Sequence, residues 1–366
     1  MTTNATPDRA GDQPMRVVQN QRGFTTPPYS RVATPLAEAA NGRWLRMLRV
    51  SPRLRGLADG LGFYAVSGDF DAVVTVGHQA ANVYCMLRRT FGDRGALHVA
   101  KEFYLEKARP NGAAGWAKHA LKRLLGLFYP GVFSSVDLLV VNASEEADLY
   151  ADQLGIPRER VVFLPWPSNV DPVESPVPGK GYVLGVGRSH RDWETFFKAA
   201  AGLDARVEVV AGGEDSRGVE PPENVRLRVE IPRPEYMELL EGADCVVIPL
   251  KTMGRSTGQA AFLEALALGK PLVVTDAVGS RDYIQDGGNG LLVPPEDPEA
   301  MRRAVSRVLA EPKLRRELGE GALESVRTRF NRRVYSRAFH DAVLEAVRRR
   351  RAEGRGPVQA ARPSGS

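Results

Sequence analysis

Between Ser256 and Asp276 the chain reads STGQAAFLEALALGKPLVVTD, a small-residue turn opening an apolar helix that carries a single acid, Glu264. The first turn of a helix has unpaired N–H groups and the positive end of the peptide dipole. Thr257, Gly258 and Gln259 therefore form an anion site that needs no charged side chain, and glycine lets a phosphate approach the backbone. Further along the helix, Glu264 is an acceptor suited to the paired hydroxyls of a ribose. Gly269, Lys270 and Pro271 then end the helix, and LVVTD reads as a buried parallel strand. Phosphate plus ribose points to a nucleotide.

A second group sits in GVGRSHRDWETFF, which places Gly187, Arg188 and Arg191 between a strand and a helix. A turn of this kind holds phosphates; the alternative is ordinary surface charge. The same turn half-matches G-x-G-x-x-G, but His190 replaces the third glycine, so a dinucleotide fingerprint is not supported. Asp69-Phe70-Asp71 has the D-x-D form of a divalent-metal motif, yet it precedes the strand AVVTV instead of ending one, and the expectation is no metal. His78, His98, His119, His190 and His340 show no metal-ligand spacing.

These residues need a frame, and strands alternate with helices from about Met15 onward, which predicts parallel sheets covered on both faces. In the first half the strands are MRVVQ, DAVVTV, ALHVA, DLLVV and RVVFLP, with helices over 79–91, 115–128 and 144–154, the last capped by Ser144. PWPSNVDPVESPVPGKG reads as a link. YVLGVG, RVEVVAGG, NVRLRVE, DCVVIPL and PLVVTD then form a second doubly wound unit.

From about Asp137 to Val347 these motifs resemble glycosyltransferase family four, retaining enzymes of the GT-B fold. The resemblance implies an α/β chain of two doubly wound Rossmann-like domains facing across a cleft. Its boundaries would be 13–174 for the acceptor side and 175–347 for the nucleotide-sugar side, flanked by a disordered 1–12 and a disordered basic tail over 348–366. Glu264 matches the ribose ligand. Ser256 stands where most relatives carry a glutamate that touches the donor sugar, and the backbone of Thr257 to Gln259 is its substitute. Arg188 matches the arginine that stabilises the departing diphosphate, and Arg191 stands at the usual lysine. A histidine that faces the donor sugar in relatives falls on Lys101 or Glu102, where a plain Lys-Glu surface pair is the other reading. Backbone groups near Val229 and Ile231 would contact the base. The family's bacterial members favour UDP or GDP as the donor's nucleotide, with no further cofactor.

Composition narrows the remaining classes. The 366 residues carry a net charge of +6 and a pI near 9.4, but no nucleic-acid motif accompanies the charge. The chain has only Cys85 and Cys245, so a disulfide or cysteine metal site has little support. No apolar run reaches the roughly 18 residues of a spanning helix, and the polar start has no signal core; a cytoplasmic protein is expected. RWLRMLRVSPRLR from Arg43 and WAKHALKRLLGLF from Trp116 combine apolar and basic residues. They read either as peripheral contacts with the inner membrane face or as ordinary packing. The function expected is sugar transfer from a nucleoside diphosphate to a hydroxyl of a glycan or lipid-linked acceptor, without metal. The alternatives are a phosphorylase or synthase of the same fold and a catalytically silent protein that binds a glycan or a partner.

Overall fold

The computed structural model describes residues 15–20, 26–40, 42–51, 54–102 and 132–354. The helix expected over 115–128, the basic stretch from Trp116, the first 12 residues and the chain after 354 lie outside them. The chain divides into two compact units: Met1–Val140 with Tyr150–Val162 and Ser336–Ser366, and Val141–Leu149 with Phe163–Tyr335.

The first unit is built on a six-stranded sheet in the order β2-β1-β3-β4-β5-β6. Its strands are β1 (Val17–Gln19), β2 (Ala33–Pro35), β3 (Ala72–Val76), β4 (Leu97–Lys101), β5 (Leu138–Val141) and β6 (Val161–Phe163). The pairs from β2 through β5 are parallel. Helices α1 (Leu36–Ala39), α2 (Arg43–Val50), α3 (Arg55–Val66) and α4 (His78–Phe91) follow in the chain. Phe63 of α3 and Tyr84 of α4 share a core with Val18 and Val73. His98 is fully buried, its Nε2 2.9 Å from the Thr75 hydroxyl, so it is a core residue. Asp71 of the D-x-D sequence is occupied as well. It accepts from the Arg16 N–H at 2.8 Å and from Arg351 at 2.6 Å.

The second sheet contains β7 (Tyr182–Gly187), β8 (Arg206–Ala211), β9 (Val225–Val229), β10 (Cys245–Ile248), β11 (Leu272–Thr275) and β12 (Leu291–Val293). Its order is β12-β11-β10-β7-β8-β9, parallel throughout. Alternation along each strand supplies two cores. Leu184, Val246 and Val274 enter one with Phe262 and Tyr283; Val183, Val247 and Val273 enter the other with Trp193 and Phe196. This is why both faces of the sheet carry helices and why the strands are continuous apolar runs. The sheet is wound in both directions from β7, and the order reverses between β7 and β10. In open α/β sheets a ligand crevice forms at such a reversal, outside the carboxyl ends of the strands.

Two expected boundaries move. The PWPSNVD link belongs to the second unit, because its backbone bonds there: Ser168 N–H donates to the Phe330 carbonyl at 2.7 Å and Val173 N–H to that of Ala267 at 3.0 Å. After α5 (Glu146–Leu154), α6 (Trp193–Ala200), α7 (Arg233–Gly242), α8 (Gln259–Ala267), α9 (Ser280–Tyr283), α10 (Pro298–Ala310) and α11 (Pro312–Thr328), the last described helix, α12 (Arg332–Ala352), belongs to the first unit from Ser336 onward. The expected disordered tail therefore does not begin at 348. Arg350 is buried and donates to Asp137 at 2.7 Å and to Asp93, and Arg88 bonds the same two carboxylates at 3.2 and 2.6 Å. Two cations and two anions held together satisfy each other's buried charge.

Candidate nucleotide-binding site

A cavity of about 460 Å³ opens in the second unit beyond the carboxyl ends of β7 and β8. Its floor is the turn after β7, with Gly187, Arg188 and Arg191. Arg191 is buried and folds back under this turn: its Nε donates to the Val186 carbonyl at 3.2 Å and its Nη1 to that of Ser189 at 2.7 Å. A Cβ on residue 187 would lie 1.8 Å from the Arg191 Nε, so Gly187 is required for the guanidinium to pass. Burial lowers the Arg191 guanidinium to about 10, which leaves it charged at neutral pH. Arg188 lines the same cavity and is exposed. Beside them His190, in the left-handed region at φ 60°, accepts from Arg255 at 2.6 Å. Burial first, and then Arg255, lower the imidazole below its ordinary value, so it remains a neutral acceptor. This contact ties the turn after β7 to the turn before the next wall of the site.

That wall is the start of α8 (Gln259–Ala267). Gly258 is its N-cap at φ 97°, a conformation that side chains other than glycine's strain to adopt, and no side chain caps the helix. Thr257, Gly258 and Gln259 all line the cavity. The uncapped N-terminus beside Arg188 and Arg191 gives this end of the cavity the character of an anion site.

Glu264, one turn further on, lines the cavity too, but it is not the isolated acid its helix implies. Arg233 Nη1 donates to its Oε1 at 2.8 Å and the Tyr236 hydroxyl to its Oε2 at 2.9 Å. Both donors come from α7 (Arg233–Gly242), whose spacing of three residues sets them on one side of the helix. Burial, then the Glu264 charge, hold the Tyr236 phenol well above its usual range, so it stays a proton donor. Arg233, Tyr236, Glu230 and Trp166 were not anticipated as site residues. An arginine and a tyrosine three apart at a helix start are the available signal, and the pairing with Glu264 is 28 to 31 residues distant.

The remaining expected residues are placed as follows. Ile231 lines the cavity together with Glu230; Val229, at the end of β9, is exposed and does not. Ser256 is buried and turned to Glu146, whose Oε1 accepts both its N–H and its hydroxyl at 2.8 Å. Glu146 opens α5 (Glu146–Leu154). Burial raises its carboxyl, opposed by these hydrogen bonds. Ser144, expected to cap α5, instead donates its N–H and hydroxyl to Asp282 at 2.7 and 2.8 Å. Lys101 and Glu102 belong to the first unit. Lys101 is buried at the end of β4, with its Nζ 5.4 Å from the Phe339 ring centre and 3.8 Å from Glu102. A plain surface pair is therefore not what this lysine forms. Among the described residues no group of three or more potential ligands is placed to hold a metal.

Residues 182–325 match the family described as glycosyl transferases group 1. The D-inositol 3-phosphate glycosyltransferase of Saccharomonospora viridis is 30% identical over 215 residues, which is 53% of this chain and 45% of that protein. An exopolysaccharide phosphotransferase of Streptomyces coelicolor is 42% identical over 90 residues, 24% of this chain and 9% of that protein. The chain thus spans less than half the length of these curated relatives. Among solved structures, HepE of Anabaena in complex with UDP-glucose superposes with a TM-score of 0.60 at 13% identity, covering 90% of this chain and 100% of that one. Sucrose-phosphate synthase of Thermosynechococcus elongatus gives 0.57 at 20% identity, covering 85% and 79%. At these identities the likeness is one of fold, and it is the two-sheet, Rossmann-like GT-B fold. Residues 182–325, on that fold, thus resemble the group 1 glycosyl transferases.

Proposed function

We propose that the protein transfers a sugar from a nucleoside diphosphate to a hydroxyl of a glycan or lipid-linked acceptor, with retention of configuration and without a metal. The observation that carries this reading is the cavity itself. One end gathers Arg188, the buried Arg191 and the uncapped start of α8; the other holds Glu264. A diphosphate fits the first and a ribose the second. The complex of HepE with UDP-glucose supports a nucleotide sugar as the ligand class.

In the reaction so proposed, the bond between the anomeric carbon and the diphosphate oxygen breaks while a bond to the acceptor oxygen forms. The acceptor's proton passes to the departing phosphate, so no side-chain base is needed. Negative charge grows on the diphosphate, and donors already aimed at that position act without reorganising, which is the dominant kind of stabilisation in such sites. The arginines take the part a cation would otherwise have. UDP or GDP is the expected nucleotide.

A second reading, a silent protein that only binds, is favoured by one observation: Ser256, at the position of a sugar-contacting glutamate in relatives, is engaged by Glu146. A thermal-shift panel of UDP, GDP and ADP, followed by donor hydrolysis with the sugar form of whichever binds, tests both. A ligand at 100 times its dissociation constant adds about 2.7 kcal/mol of stability. Slow release of the nucleotide supports transfer, and stabilisation with no turnover in EDTA or magnesium supports the silent protein. No stabilisation by any nucleotide overturns the transfer reading.

A further inference from the structure

Large apolar side chains of the first unit stand in solvent along a short stretch of sequence. Trp44 is 78% exposed, Met47 61% and Val50 81% on α2, and Leu54, Leu57 and Leu61 follow at 40, 42 and 37%. Scattered exposed hydrophobics need no explanation, whereas a concentration of this kind marks a contact surface.

The orientation of α2 excludes ordinary packing as the reason for its pattern. Trp44, Met47 and Val50 recur every three residues and so share one side. The opposite side faces the protein: Leu45 packs on the core, and Arg49 donates from Nε to Asp59 at 3.0 Å and from Nη1 to the Ala40 carbonyl at 2.9 Å. A charged residue is therefore turned inward while tryptophan, methionine and valine are turned out. Between Glu38 and Asp59 the sequence has no acid but five arginines, at 43, 46, 49, 53 and 55. Of these Arg43, Arg46 and Arg55 are exposed beside the apolar face, and Asp59, the acid that follows them in the chain, is paired with Arg49.

We propose that α2 and the start of α3 dock on an anionic lipid bilayer, with Trp44, Met47 and Val50 entering the headgroup boundary and the arginines meeting lipid phosphates. An interfacial helix combines an inserted apolar face with flanking cations in this way. A second copy of the chain is a poorer occupant, because it would set arginines against arginines. A free polyanion would leave the apolar face in water. The proposal stands whether or not the chain transfers a sugar.

The test is sedimentation of the full-length protein with vesicles of phosphatidylcholine alone and of equal parts phosphatidylcholine and phosphatidylglycerol, at low and high salt. Binding should require the anionic lipid and weaken with salt. Trp44→Ser with Met47→Ser should reduce partitioning by about tenfold or more, and Arg43→Glu with Arg46→Glu by about fivefold for each charge lost, with unchanged circular dichroism and melting. Failure of the wild-type chain to sediment with anionic vesicles would overturn the proposal. So would equal partitioning of the folded Trp44→Ser, Met47→Ser variant, or a dimer in light scattering that this variant dissociates.

Discussion

Replacing Glu264 tests the nucleotide assignment at its most constrained point. A carboxylate has about four lone-pair sites on two oxygens. Arg233 takes one on Oε1 at 2.8 Å and Tyr236 one on Oε2 at 2.9 Å, which leaves about two for the paired hydroxyls of a ribose. The two donors thus fix the acid without exhausting it. Glu264→Ala removes charged acceptors worth about 1.5 to 3 kcal/mol, so nucleotide affinity measured by calorimetry should fall by about tenfold to a hundredfold. Stability should fall by only about 1 kcal/mol, because the released Tyr236 hydroxyl is partly buried and Arg233 is largely exposed. Tyr236→Phe, which leaves the charge of Glu264 intact and removes one orienting contact, should weaken binding only several-fold. Equal affinity of a folded Glu264→Ala protein and the wild type for the stabilising nucleotide would refute the ribose assignment.

Four further outcomes are expected. Arg188→Ala should lower kcat by about 10²- to 10³-fold with a smaller change in KM, since its contact strengthens as charge leaves, and Arg188→Lys should recover part of the loss; a change in KM alone would make Arg188 a ground-state binding residue. Glu146→Ala should loosen the turn that presents Thr257 and Gly258 and weaken nucleotide binding, whereas Glu146→Gln, which keeps an acceptor for Ser256, should be milder; identical affinities in all three proteins would remove Glu146 from the site. Arg350→Ala leaves Asp137 and Asp93 with Arg88 as their only remaining cation of the cluster and should cost about 3 kcal/mol, read as a lower urea midpoint; an unchanged midpoint would show that the network adds nothing net. Burial lowers Lys101 and Lys270 from 10.5 to about 8, so above pH 8 the unfolded chain binds more protons than the folded one and stability should rise with pH. Above about pH 9 the buried thiols of Cys85 and Cys245, raised to about 11 and 12, oppose this rise and flatten it. A melting temperature that falls between pH 8 and 9 would contradict the lysine assignment.

The sequence by itself determined ten of the twelve strands, β2 and β12 being the exceptions, and the strand–helix turns that line the cavity. Strands such as YVLGVG and PLVVTD are apolar on both faces because helices cover both faces of their sheet, and that pattern is visible residue by residue. The start of α8 was legible for the same reason, since a glycine that ends a turn and begins a helix acts through its own backbone torsions. Gly187 and Arg188 follow from their place between a strand and a helix. Only the tertiary structure decided which charges meet. Glu264 looks alone on its helix, yet its partners come from α7; Ser256 is held by Glu146, 110 residues earlier; and Arg350, in what reads as a tail, closes on Asp137, 213 residues before it. The outward turn of Trp44 was equally hidden, because an amphipathic helix states that it has two faces and not which one meets the protein. Periodicity and capping are encoded within a few residues, whereas an ion pair requires only opposite charges brought together, and many pairings satisfy that condition until packing selects one.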